Sequence, residues 1–218
     1  NFIGIAVHNG DPMVLAAYNS GACFSGFPGM NVDRVVKCTD ISNSQVNRFI
    51  ESRKNLVVPA ELNASGTLVG RDLNITASAT FRTVYLQANL RLAVVISEDG
   101  VRGTTTGYRQ ANYYSGGGNG PMGGYQNLPN PVPAAQMVYD HVGRALLGGY
   151  AGQPESVPTT ITDGLVANQA FSYTIPDTYN LENMHLVVML LDAGTGEIIN
   201  ARTVLLSTLG TTQAETNK

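Results

Sequence analysis

The hydrophobic rhythm of the chain changes near residue 56, and the two halves predict different architectures. Beyond Leu56, Val58, Ala60, Leu62 and Ala64 alternate with polar neighbours. Leu73, Ile75, Ala77, Ala79 and Phe81 repeat the pattern after a turn expected at Ser65-Gly66 or Gly70. A period of two is the signature of a strand buried on one face. Leu90–Glu98 reads as a third half-buried antiparallel strand, and 171–175, 186–191 and 198–206 complete the set. Asp192-Ala-Gly-Thr-Gly-Glu197 joins the last two as a glycine-containing hairpin. Strands with turn signals and no helical pattern between them predict an antiparallel β-sandwich of jelly-roll type over residues 56–210. The remainder, 211–218, has nothing to bury and is expected as a disordered tail.

Before residue 56 the pattern is mixed. Phe2-Ile-Gly-Ile-Ala-Val7 is almost wholly apolar and reads as a central strand buried on both faces. His8-Asn9-Gly10 turns the chain, and Asp11-Pro12 supplies an N-cap acceptor followed by a proline suited to a first helical position. A short helix through Met13, Leu15 and Tyr18 follows, ended by Gly21. The loop FSGFPGMNVDR, 24–34, then leads into a second strand, Asn31 to Lys37. Over 40–54, Ser42 and Gln45 have capping-box spacing, and Ile41 and Val46 sit where a hydrophobic staple packs. Val46, Phe49 and Ile50 give that helix one apolar face. This order of elements resembles the later half of a thioredoxin-like unit, so the whole reads as α/β then all-β, with a partial thioredoxin-like domain over 1–55. The reactive dithiol of such a unit is expected upstream of Asn1, which makes the chain an expected fragment.

Composition narrows the chemistry. The 218 residues are 43% hydrophobic and 13% charged, enough for one good core or one core and a smaller one. A net charge of -3 gives no broad basic field, so nucleic acid is not an expected partner. His8, His141 and His185 have no metal-ligand spacing, and the Asp192–Glu197 turn lacks the alternating oxygens of a calcium loop, so no metal is expected. GGGNGPMGG lacks the Lys-Ser/Thr ending of a phosphate loop, no nucleophile elbow is present, and neither a cofactor nor a catalytic residue is assigned. Cys23 and Cys38 are too far apart in sequence for Cys-x-x-Cys chemistry; they form a candidate disulfide or two buried thiols. One segment suggests recognition. YRQANYYSGGGNGPMGGY carries Tyr108, Tyr113, Tyr114 and Tyr125 among glycine and asparagine, a composition suited to peptides or sugars, or to rings that pack back on the sandwich.

HNGDPM (8–13), GFPGMNVDR (26–34), SEDGV (97–101) with YRQANYY behind it, HVGRALLGG (141–149), FSYTI (171–175) and TGEIINA (195–201) occur in a telling order. On these the chain resembles the twenty-eight-kilodalton outer-membrane protein family of Bacteroides-type bacteria. The resemblance implies a lipoprotein leader, a thioredoxin-like domain and a C-terminal sandwich, at the outer membrane or cell surface, with the periplasm as second choice. It implies contact with the membrane only through a lipid anchor absent from this chain, and a cis bond at Phe27-Pro28 in the proline loop. It also favours packing for Tyr108 and the Asn112-Tyr113 pair, which belong to the motif. The expected function is a non-enzymatic envelope binding or assembly protein whose partner is an envelope protein, peptide or glycan. The alternative is a thiol-disulfide oxidoreductase, or its substrate-binding part, with its Cys-x-x-Cys upstream.

Overall fold

The computed structural model describes residues 2–22, 24, 26–38 and 42–212. Strands β1 (Met30–Val32) and β2 (Val36–Cys38) form a small hairpin, flanked by helices α1 (Ala16–Ala22) and α2 (Asn43–Arg53). Then follow β3 (Ala60–Val69), β4 (Asp72–Phe81), β5 (Leu90–Glu98), β6 (Val142–Leu147), β7 (Val166–Thr174), β8 (Met184–Asp192), β9 (Ile198–Leu205) and β10 (Gly210–Thr212). They make two four-stranded sheets, β10-β3-β4-β7 and β6-β5-β8-β9. All pairs are antiparallel except β10 on β3.

The sandwich is met, but its connectivity corrects the jelly-roll expectation. The chain crosses between sheets from β4 to β5 and from β7 to β8, while β4 pairs with β7 and β5 with β8. This is the neighbourhood of an immunoglobulin-type Greek key, in which strands A, B and E face C′, C, F and G. The turn between β3 and β4 falls at Gly70, which takes φ 59°. Gly66 instead lies within β3, where a Cβ would stand 2.1 Å from the Asn74 carbonyl oxygen. The tail expectation is corrected for Thr211 and Thr212, which pair with Leu68 and Val69 because the β3 edge there offers free backbone groups; residues 213–218 lie outside the described residues.

Burial follows strand parity. Leu62, Leu73, Ile75 and Phe81 of the first sheet meet Leu92, Val94, Ile96, Leu186, Val188 and Leu190 of the second. The intervening residues Ala93, Val95, Val187, Met189 and Leu191 form a separate apolar cluster on the opposite face of the second sheet. The expectation of a half-buried β5 and β8 is therefore corrected. Both are covered on two sides, and LRLAVVISE and MHLVVMLLD are accordingly near-continuous apolar runs.

The cover is the N-terminal segment. Ile3, Ile5, Val7, Leu15, Tyr18, Ala22 and Phe24 pack on that outer face. Phe2–Val7 was expected as a central strand; it makes only an isolated parallel bridge, Ala6 to Val142, with Ala6 N–H donating to His141 O and Gly143 N–H to Ala6 O. Its apolar side chains serve as a lid over the sheet rather than as a strand within one. Asp11 Oδ1 accepts from the Met13 amide at 2.8 Å, yet the helix starts later, at Ala16. Gly21 lies inside α1 instead of ending it, because the Tyr150 ring rests on it: a Cβ there would be 2.2 Å from that ring.

The single strand expected at 31–37 is two short strands, because Asp33 and Arg34 both take positive φ, as a tight hairpin turn requires. Ser42 occupies the α2 N-cap position, but its side chain makes no cap bond, and its Oγ faces Ser44 Oγ at 3.4 Å; the capping box is not formed. Ile41, and with it the staple, lies outside the described residues. At the other end of α2, Arg53 Nε donates to Asp33 Oδ2 at 3.0 Å and its Nη2 pairs with Glu197. Ile198 N–H donates to Asp33 O. The hairpin and α2 are thus fastened to the β8–β9 turn. Burial opposes the Arg53 charge, but the bonds to Asp33 and Glu197 outweigh it and raise its pKa above the ordinary arginine value.

Two neighbours test the two-faced sheet. Leu190 and Met189 are both fully buried, on opposite faces of β8. Leu190→Ala and Met189→Ala should each lower unfolding free energy in urea by roughly 2–5 kcal/mol. A Met189→Ala cost under about 0.5 kcal/mol, the scale of a surface change, contradicts the covered outer face.

Candidate functional site

The tyrosine segment forms a shaped loop rather than a loose excursion. Gln110 and Val132 close its base by exchanging backbone hydrogen bonds. Inside, the buried Asn112 is a hub. Its Nδ2 donates to the carbonyls of Tyr125 at 2.7 Å and Leu128 at 3.2 Å, and its Oδ1 accepts from the Tyr114 amide. Its own amide donates to Asn130 Oδ1, just before a second cis bond, Asn130-Pro131. Gln126 Oε1 accepts from the amides of Met122 and Gly124, and Asn119 Nδ2 donates to Tyr113 O. Glycines 116, 117, 120, 123 and 124 take the positive φ values that let backbone groups turn toward these partners.

The four tyrosines divide. Tyr108 packs with Met13, Val101, Val142 and Tyr139, and its ring lies over Gly103, where a Cβ would come within 2.1 Å. Tyr139 Oη donates to Tyr108 O at 2.8 Å. Tyr114 and Tyr125 are half-buried around the hub, whereas Tyr113 is 78% exposed. From Ala111 to Val132 the sequence has no charged side chain. The surface that results is neutral, held by internal hydrogen bonds, and led by one projecting aromatic ring. The packing expected of the Asn112-Tyr113 pair holds for Asn112 and is corrected for Tyr113, whose ring projects because the turn is held by the Asn112 side chain and not by the phenol; Gln126 was not singled out, and the cue for it was its place beside Gly123 and Gly124.

The other candidates lie elsewhere. The Phe27-Pro28 bond is cis, Phe27 is exposed, and the Phe24 ring crosses the loop onto Gly29. Next to it, Arg34 stacks 3.7 Å from the Tyr150 ring centroid and 5.0 Å from that of Tyr18. Cys23 lies outside the described residues, so the candidate Cys23–Cys38 disulfide does too. The histidines pair with aspartates: His8 with Asp11 at 2.6 Å, and His141 and His185 with the two oxygens of Asp99 at 3.2 and 3.0 Å. Among the described residues no group of three or more His, Cys, Asp or Glu is placed to hold a metal ion. Near the loop's far support, Glu98 is buried between Arg144 Nε at 2.7 Å and the Asn180 amide at 2.8 Å, with Arg144 stacked on Tyr179. Both charges are satisfied, as buried ions must be. A cleft of about 480 Å³ between β3 and β9 contains none of the candidate site residues.

The sequence pattern of the family Outer membrane protein Omp28 matches residues 16–209, most of the chain. The chain belongs to the Omp28 outer membrane protein family. That membership puts it at the outer membrane or cell surface, and no described helix is long and apolar enough to cross a membrane. The solved structure of HBP35 of Porphyromonas gingivalis matches with a TM-score of 0.58 at 14% identity, over 93% of this chain and 60% of that one. The Omp28 chain thus spans 60% of the length of that structure, and the likeness is one of fold. None of the curated proteins matches it.

Burial, with Asp11 adding to it, pushes the Tyr139 phenol above the ordinary tyrosine value. The neutral form is therefore favoured by folding, and this stabilisation is full below the unfolded value of about 10 and is lost as pH rises through the folded one. An ultraviolet titration should show one phenol fewer ionising late in Tyr139→Phe than in the parent chain, and the variant should lose less stability in strong alkali. Identical alkaline curves contradict the assignment.

Proposed function

We propose that this Omp28 chain is a non-enzymatic binding or assembly protein of the cell envelope whose recognition surface is the loop 108–132. The carrying observation is a preorganised loop, free of charged side chains from Ala111 to Val132, that spends its amide side chains on its own backbone and leaves Tyr113 projecting. Rigid loops lose little entropy on binding, and an exposed ring beside amides suits the apolar faces and hydroxyls of a neutral glycan. A peptide presenting uncharged side chains is the second ligand class. Attachment through a lipid anchor, as the family resemblance implies, belongs to the same reading.

The test is an array of neutral and charged envelope-type glycans and unstructured peptides. Neutral glycans should be retained, and Tyr113→Ala should weaken them by roughly 1–2 kcal/mol with an unchanged melting temperature. Retention of charged polymers alone, or equal binding by the variant, contradicts the proposal.

A second reading rests on the order of α1, the Pro28 loop, the β1–β2 hairpin and α2, which supports a partial thioredoxin-like unit. On that reading residues 1–55 are the substrate-binding part of a thiol-disulfide oxidoreductase whose Cys-x-x-Cys lies upstream. The chain alone should then fail to accelerate insulin reduction by a dithiol. Turnover lost in Cys38→Ser would place the redox chemistry within this chain and overturn both readings.

A further inference from the structure

The outer edge of a sheet presents unpaired backbone donors and acceptors, and the sandwich treats its edges unequally. On the β3–β9 side, β10 pairs with residues 67–69 of β3, and Asn200 Nδ2 and Arg202 Nη1 reach from β9 to the carbonyls of Ala60 at 2.9 Å and Leu62 at 3.0 Å. The β6 edge is engaged by Ala6, which bonds to His141 O and to Gly143 N–H, and its pairing with β5 shifts register between Ile96 and Ser97. β7 has no such protection. It pairs with β4 over nine residues without a register shift. Phe81 N–H donates to Leu165 O and Ile175 N–H to Arg71 O, so the odd-numbered residues of this strand bond to β4 and the even-numbered ones turn their backbone groups outward. Among the described residues no hydrogen bond reaches the outward groups of Val166, Asn168, Ser172 or Thr174; Ala170 O accepts only from the side chain of its neighbour Gln169, at 2.8 Å. From Gly164 to Pro176 the sequence has no charged residue, and β7 itself has neither proline nor glycine.

We propose that the β7 edge pairs antiparallel with β7 of a second copy of this chain, joining the two β10-β3-β4-β7 sheets across a two-fold axis at Ala170. Unpaired groups at every second residue of a regular strand are satisfied by another extended strand, which fixes the class of the occupant. A second copy is selected by the fit of the strand to its own reverse, the condition a two-fold interface must meet. With Ala170 on the axis, Val166 opposes Thr174, a β-branched pair, and Asn168 opposes Ser172, whose hydroxyl donates to Asn74 Oδ1 and keeps acceptor capacity for an amide. On the other face Tyr173 meets Ala167 and Phe171 meets Gln169, large against smaller, so the two half-buried rings at the margin of the core gain cover. This register uses the whole strand, and any shift from it leaves outward groups unpaired. No like charges are opposed within the strand: the first charged residues are Asp163 and Asp177, beyond its ends, and Asp177 is already paired with Arg71 at 3.0 Å.

Sedimentation of the full chain over a series of concentrations, with disulfide trapping, tests this. The parent chain should pass from monomer to dimer as concentration rises. Ala170→Lys should remain monomeric over the same series, because each added charge faces its own copy across the axis. Residue 170 is exposed, so the melting temperature of the diluted variant should match that of the parent. Trapping needs no disruptive charge. Opposed residues of a hydrogen-bonded antiparallel pair have Cα atoms about 5.5 Å apart, within disulfide reach. Ala170→Cys should therefore form a covalent dimer on mild oxidation beyond that of the parent. Asn168→Cys alone should not, while a mixture of Asn168→Cys and Ser172→Cys should cross-link. A parent chain that stays monomeric at its highest soluble concentration overturns the proposal. So does a dimer unchanged by Ala170→Lys, or trapping by Asn168→Cys alone that equals trapping by Ala170→Cys. Protection of the β7 edge only by an unrelated extended peptide also overturns it and assigns the edge to a different strand.

Discussion

A β-sheet with apolar side chains on both faces is stable in water only when both faces are covered. The sheet of β5 and β8 has that character: alternate residues point into the sandwich, and the residues between them meet the N-terminal segment. Each such side chain is worth roughly 1.5–3 kcal/mol when removed from water. Uncovering the outer face would therefore expose several of them at once, so Ile3, Ile5, Val7, Leu15, Tyr18, Ala22 and Phe24 belong to the stability of the sandwich. Their placement positions the rest. Met13 and Tyr108 share one small core with Val101 and Val142, tying the foot of the tyrosine loop to the same N-terminal segment. Arg53, Asp33 and Glu197 fasten the following helix and hairpin to the β8–β9 turn.

The surface proposed for recognition depends on this arrangement. The tyrosine loop is anchored on the β5–β6 side, where Asp99, Val101 and Tyr139 hold the connection. It is aromatic, free of charge from Ala111 to Val132, and shaped by a buried asparagine.

Much of the sandwich was legible because period-two alternation in β3 and β4 is a direct image of one face buried and one wet. β5 matched its expected span from Leu90 to Glu98 for the same reason of length and bounding turns. The two-sided burial was also written in the chain, since LAVVI and LVVMLL do not alternate, but its partner is distant in sequence and only the fold supplies it. β6 was not read as a strand: it is short, carries Gly143 and Arg144, and its arginine is buried only because Glu98 of the neighbouring strand pairs with it. The hairpin inside 31–37 was hidden because its turn uses Asp33 and Arg34 at positive φ without a glycine. In the loop, tyrosines drew attention, while Asn112, which holds the loop together, has a role that depends on carbonyls more than a dozen residues away. Strand order, which separates an immunoglobulin-type key from a jelly roll, is a property of pairing and has no local signature.

Hydrogen exchange under native conditions measures the dependence of the sheet on its cover most directly. The amides of Ala6 and Gly143 bond across the junction between the N-terminal segment and β6, and those of Val94 and Val188 lie at the centre of the sheet. If the segment is an integral face of the core, all four should exchange only through the same global opening, with matching free energies and matching dependence on urea. Rapid exchange at Ala6 and Gly143, with Val94 and Val188 fully protected, would show that the sheet stands without its cover and would contradict the account.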